Sequence, residues 1–207
     1  EGRKLLMFKV HFIYATMDSG KTTKLLQNQF SYQQAGIPTY LLTPKIDTRN
    51  GVDIVKARIG LQATADIVVG DNSNDKLLNE VIEKAYRTNG IILIDEAQFL
   101  KPDVIYSIVN KCRDLDFSNP NKKDYFTLYA YGLLTDFKGH LFDGTKAWIE
   151  LADSIRKEDT KCAYCNRKAT YNLLTKHTTD SNIQIGDSEY KPVCSYHYWY
   201  YTNTNKL

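Results

Sequence analysis

The chain has 207 residues, 43% hydrophobic and 25% charged, with a formal charge of +3. That composition supports a sizeable core and excludes global disorder. The small charge, spread over scattered Lys and Arg, argues against a nucleic-acid partner.

No apolar run approaches the ~20 residues of a membrane span, and no leader pattern opens the chain. Four cysteines in such a chain read as metal ligands or free thiols rather than disulfides, so the cytoplasm is the expected compartment. Residues 1–6 are expected to be an appended remnant, with Met7 the natural start. Residues 8–14, Phe-Lys-Val-His-Phe-Ile-Tyr, read as a central strand. A helix follows over 22–35, stopped by Gly36 and Pro38, then a short strand over 39–43. Residues 45–75 read as loop, apart from a strand at 67–69. Residues 76–87 carry a helical apolar stripe, and Ile91-Ile92-Leu93-Ile94 reads as a strand buried on both faces. A helix over 102–115 begins at Pro102, and a strand spans 126–131. This alternation predicts a mostly parallel sheet with helices on both faces. After about residue 158 cysteines, Tyr and Thr accumulate without helical period. The expected organisation is therefore an α/β domain over 7–157, a small second domain over 158–200 and a tail over 201–207.

Between the first strand and first helix lie Ala15-Thr16-Met17-Asp18-Ser19-Gly20-Lys21-Thr22. A nucleoside triphosphate needs backbone donors around its phosphates, a cation on the β/γ oxygens and a hydroxyl for Mg²⁺. The N–H groups of residues 18–22 supply such a cradle, Lys21 the cation and Thr22 the hydroxyl, with a helix N-terminus aimed at the phosphates. Ala15 stands where the phosphate-loop pattern has its first glycine. The bland alternative is a chance Gly-Lys-Thr on an ordinary turn, and the flanking strand and helix count against it.

A second signature sits at 91–96, where an apolar strand ends in Asp95 and Glu96. Asp95 suits a Mg²⁺ site beside the loop hydroxyl, and Glu96 a proton acceptor at the carboxyl edge of the sheet. The two motifs leave kinase, ATPase and helicase open.

Cys162/Cys165 and Cys194/His197 are two ligand pairs, each spaced i, i+3, which suits a tetrahedral Zn²⁺. With four protein ligands the ion would be structural. His177 is a competing fourth ligand without a useful neighbour. Cys112, on the 102–115 helix, reads as a small buried residue.

In order along the chain, Met17–Thr22, Pro44-Lys45-Ile46-Asp47-Thr48-Arg49, Asp95-Glu96-Ala97-Gln98-Phe99, Tyr131-Gly132-Leu133-Leu134-Thr135-Asp136-Phe137, the Cys162/Cys165 pair, and Tyr190 with Cys194 and His197 resemble the type II thymidine kinase family. The resemblance spans residues 8 to about 198 and is nearest to the bacterial branch, whose loop also lacks the first glycine. It implies a P-loop (RecA-like) fold with a zinc-binding domain, and transfer of the ATP γ-phosphate to the 5′-hydroxyl of thymidine to give dTMP. By the same resemblance Glu96 is the general base. Ala15, Thr16, Met17, Asp18, Ser19, Gly20, Lys21, Thr22, Asp95 and Gln98 serve ATP and Mg²⁺, with Arg49 and Arg58 as candidate phosphate-side cations. Phe99, Leu133 and Phe137 line the thymine pocket, and residues 183–190 form a lasso that closes on the nucleoside through Ile185, Gly186 and Tyr190. Phe142 is read as packing. The lasso appears one residue short of the bacterial form, and Ser195-Tyr196 replace the usual basic residue and its neighbour. Implied partners are ATP, thymidine and deoxyuridine, with dTTP as feedback inhibitor, in a homotetramer without nucleic acid or membrane. The competing reading is a recombinase- or helicase-like ATPase carrying a zinc ribbon; a non-catalytic nucleotide-binding protein is disfavoured by the intact Lys21, Thr22, Asp95 and Glu96.

Overall fold

The computed structural model describes residues 8–46, 51, 53–119, 126–175 and 190–204. Its main sheet has six strands, β1 (Phe8–Ala15), β2 (Thr39–Pro44), β5 (Ile67–Val69), β6 (Ile91–Ile94), β7 (Phe126–Leu133) and β8 (Ser154–Lys157), in the order β5-β2-β6-β7-β1-β8. Every pairing in it is parallel. Parallel strands need crossovers, and helices α1 (Lys21–Gln34), α2 (Lys76–Arg87), α3 (Pro102–Ser118) and α4 (Asp143–Leu151) provide them.

Strand alternation sorts the side chains into two cores. Phe8, Val10 and Phe12 of β1 stand in register with Phe126, Leu128 and Ala130 of β7. Together with Ile92 and Ile94 they pack against α2, α3 and α4. The opposite parity, Ile13, Leu41, Leu93 and Tyr131, packs against Leu25 and Leu26 of α1. The expected three-layer arrangement is therefore present, with one helix on one face and three on the other. Asp75 starts α2 by accepting the N–H groups of Leu77 and Leu78 at 2.9 and 3.1 Å.

Several elements escape the sequence pattern. The stretch read as loop contains an antiparallel hairpin, β3 (Ile54–Lys56) with β4 (Gln62–Thr64). Strands of three residues are too short for a period to register. β8 is a short, mostly exposed edge strand, and α4 is short and buries Gly144 and Thr145 alongside Ala147 and Trp148, so neither carries a clear apolar period. α5 (Ser195–Thr204) is aromatic nearly all round, with only Tyr198 buried, so no stripe marks it as a helix. It also carries the chain past residue 200, where a tail was expected.

The C-terminal module is built on β9 (Tyr171–Leu174) and β10 (Tyr190–Val193), an antiparallel pair in which Leu174 lies opposite Tyr190. Its small core comprises Cys162, Leu173, Val193, Cys194 and Tyr198. Cys112 is buried on α3 as expected.

Candidate active site and metal centre

Because the strands are parallel, the carboxyl ends of β1, β6 and β7 meet on one edge of the sheet, where open α/β folds bind ligands. The loop after β1 turns through Asp18 at φ 60 and Gly20 at φ 80 before α1 begins. Glycine reaches that region without steric cost, and Asp is one of the few other residues that tolerate it. Lys21 is buried, and its Nζ donates to the Thr16 carbonyl at 3.1 Å, folding the side chain back over the loop. The Thr22 hydroxyl donates to Asp95 Oδ2 at 3.0 Å, so the two motifs meet across 73 residues of sequence. Thr16 Oγ1, Ser19 Oγ and Asp95 Oδ1 are buried and, among the described residues, have no hydrogen-bond partner. Buried polar atoms are rarely left unpaired, and here three of them cluster where phosphates and a cation would bind. The donor set thus fits a nucleotide with a divalent metal.

Burial, and then the adjacent Glu96 charge, push the Asp95 carboxyl up to about 7, against the pull of the Thr22 hydroxyl and Lys21. A cation bound beside it would favour the carboxylate.

Glu96 has φ 46 and ψ 39, a left-handed residue between β6 and the short 3₁₀ turn Ala97–Phe99. That geometry turns the chain sharply off the strand end. Gln98, 2% exposed, donates from Nε2 to Glu96 Oε2 at 2.6 Å and accepts the Leu133 N–H at 2.9 Å. Gln98, expected among the ATP and Mg²⁺ positions, thus spends its amide on orienting Glu96 and tying it to β7. The backbone leaves Gln98 little room. A Cβ on Gly132 would lie 2.8 Å from its Oε1, and one on Gly144 would lie 2.6 Å from its carbonyl oxygen. From α4, Trp148 Nε1 donates to the Ala97 carbonyl at 3.0 Å and Thr145 to the Leu133 carbonyl at 2.7 Å. Replacing Gln98 by Leu should therefore lower turnover roughly tenfold with little change in ATP affinity, since the carboxylate loses its fixed rotation. Steady-state kinetics beside an ATP titration checks this.

The aromatic residues expected around thymine meet other rings in pairs. Phe99 meets Phe142 edge-on at 5.7 Å. Phe137 lies 6.5 Å from Tyr190, and Leu133 ends β7 beside Gln98. Arg58, in the β3–β4 turn, pairs with Asp18 of the loop. Arg49, Ile185, Gly186 and His177 lie outside the described residues.

Two contacts between the C-terminal module and the catalytic half carried no sequence signal. Asn172 Oδ1 accepts the Met17 N–H at 2.8 Å, one residue before the 18–22 cradle. Tyr198 donates its hydroxyl to the Phe137 carbonyl at 2.8 Å and stacks on Tyr171 at 4.4 Å. An isolated Asn in a short strand and one Tyr in an aromatic run look like any others.

The ligand atoms of Cys162, Cys165, Cys194 and His197 all lie within 4.8 Å of one another. Cys165 Sγ is 3.8 Å from Cys194 Sγ, and His197 Nδ1 is 3.3 and 3.4 Å from the sulfurs of Cys162 and Cys194. Two sulfurs bound to one tetrahedral Zn²⁺ at ~2.3 Å would stand about 3.8 Å apart, so the cluster fits zinc. α5 opens directly after Cys194, and its first turn presents His197. Burial raises the Cys162 thiol, but N–H groups of Cys194, Tyr164 and Cys165 and the His197 ring outweigh it and bring the thiol down to about 6. Among the described residues, no helix is long and apolar enough to cross a membrane.

Residues 8–198 match the sequence model of the family described as thymidine kinase. A thymidine kinase of Rhodopirellula baltica is 37% identical over 200 residues, covering 93% of this chain and 88% of the relative. One from Streptococcus gordonii is 37% identical, over 93% and 97% of the two chains. One from Streptococcus pyogenes is 35% identical, over 93% and 98%. With a phosphate loop, an acidic strand end and a Cys₃His cluster in one fold, and with similarity running nearly end to end, the chain belongs to the thymidine kinase family.

Proposed function

We infer that this chain is a thymidine kinase that transfers the γ-phosphate of ATP to the 5′-hydroxyl of thymidine, giving dTMP. The observation that carries the residue assignments is the bond between Thr22 and Asp95, which sets the phosphate loop beside the carboxylate pair at the end of β6. Lys21 and the N–H groups at the start of α1 hold the phosphates. Thr22 and Asp95 hold the divalent ion, taken to be Mg²⁺, which when bound neutralises charge on the β- and γ-phosphates. Arg58 is a phosphate-side cation kept near the loop by Asp18, and Arg49 is assigned the same task. Glu96, its rotation set by Gln98, accepts the proton of the attacking hydroxyl. Phe99, Leu133, Phe137 and Tyr190 offer the flat, apolar walls that a methylated pyrimidine needs. Ile185 and Gly186 belong to the lasso assigned to grip the base. The four-ligand zinc leaves no open coordination position and is structural.

Deoxyuridine as a second substrate, inhibition by dTTP, a homotetramer and a cytoplasmic location complete the proposal. The decisive experiment offers the protein ATP, Mg²⁺ and a panel of deoxynucleosides. Phosphorylation of thymidine and deoxyuridine, without deoxycytidine or purines, supports both reaction and pocket. ATP hydrolysis stimulated by single-stranded DNA, with no transfer to any nucleoside, would favour the ATPase reading instead.

A further inference from the structure

The β9–β10 hairpin presents two different faces. Alternation turns Leu173 and Val193 toward Cys162, Cys194 and Tyr198 in the module's core. Asn172 falls on the other face, opposite Pro192 and two pairs along from Leu174 and Tyr190. On that face Tyr190 meets Phe137. Asn172 is 4% exposed, and its bond to the Met17 N–H joins residues 155 positions apart.

The phosphate loop needs an external hold. Asp18 at φ 60 is a non-glycine residue in the left-handed region, which persists where the surroundings over-determine it. Arg58 grips Asp18 from one side, but both side chains are substantially exposed, so salt and water weaken that grip. Asn172, itself buried, grips Met17 through a part-buried bond. Its strand pairs with β10, and β10 is tied to the metal cluster, since Ala163 N–H bonds the Pro192 carbonyl at 2.8 Å and Cys194 follows Val193 directly.

We propose that Asn172 is a positioning residue through which the zinc module fixes the phosphate loop for ATP; this rests on the kinase reading above. The bond acts on the triphosphate side of the site, whereas Tyr190 and Tyr198 of the same module act on the nucleoside side.

Asn172→Leu keeps the side-chain volume and removes the acceptor. Titrations of the zinc-loaded protein with MgATP and, separately, with thymidine should give ATP binding weakened roughly five- to fiftyfold, the effect of stranding a part-buried N–H and releasing the loop. Thymidine affinity and zinc content should stay near wild type. Unchanged ATP affinity overturns the proposal, as does equal weakening of both ligands or loss of zinc, which marks a merely structural residue. Where Asn172→Leu does not fold, Asn172→Ser, whose hydroxyl falls short of Met17, is read in the same way. Phosphorylation of thymidine by the wild type, measured alongside, tests the kinase reading separately, while the ATP titration decides on Asn172 whether or not that transfer occurs.

Discussion

Glu96→Gln is expected to bind ATP within about twofold of wild type and to lose turnover by a factor on the order of 10²–10⁴, the range for a positioned acid–base group. The substitution keeps the size of the side chain and an oxygen that can still accept from Gln98 Nε2. The Thr22–Asp95 bond does not involve Glu96, so the phosphate side stays assembled. What disappears is the capacity to take a proton from the attacking hydroxyl. Phosphoryl transfer otherwise depends on positioning and charge neutralisation, so residual turnover above the uncatalysed rate should persist. Single-turnover transfer to thymidine, with ATP affinity measured separately, is the check. Wild-type turnover in the variant would remove Glu96 from the role of base.

Cys162→Ser, or removal of zinc by a chelator, should abolish thymidine binding and lower the unfolding temperature together. Structural zinc contributes ~10–16 kcal/mol in zinc-finger peptides, comparable to the whole ~5–15 kcal/mol stability of a domain. The module's core is small and is formed largely around the cysteines themselves, so it has little to hold it once the ion is gone. Tyr190, Tyr198 and Asn172 would lose their footing at the same time. The Cys162 thiol, held well below its ordinary 9.0, favours the folded chain as thiolate; that contribution is complete above 9.0 and is lost as pH falls through about 6. Metal analysis should find close to one zinc per chain, and a zinc-free protein with normal thymidine affinity would contradict the structural role.

The parts of this molecule that could be read from sequence are those where one short run carries its own physics. Ile91-Ile92-Leu93-Ile94 is buried on both faces, and four consecutive apolar residues are the signature of that. The Gly20-Lys21-Thr22 turn and the two i, i+3 ligand pairs are equally local, and the structure brings the ligand pairs to one point. The aromatic residues expected around thymine came from family resemblance, because no spacing rule separates a pocket Phe from a core Phe. Gln98 shows where local reading stops. Its task depends on Glu96, Leu133, Gly132 and Gly144 converging on one amide, and only the packing of β7, α4 and the 3₁₀ turn brings them together. α5 and Asn172 were hidden for a similar reason: their partners lie in other elements.

The order of strands also has a consequence for how the chain is made. β1 is made before the other strands of its sheet, yet its two neighbours are β7 and β8, with Phe8 seated against Phe126. At a synthesis rate of ~5–20 residues per second, the 118 residues between those partners (126 − 8) take roughly six to 24 seconds to appear. For that interval Phe-Lys-Val-His-Phe-Ile-Tyr-Ala, apolar and strand-forming, has no sheet to join, while β2, β5 and β6 emerge next to one another and can pair early. Assembly therefore closes late on the β7-β1-β8 side of the sheet, and until then β1 is a segment for holdase chaperones to cover.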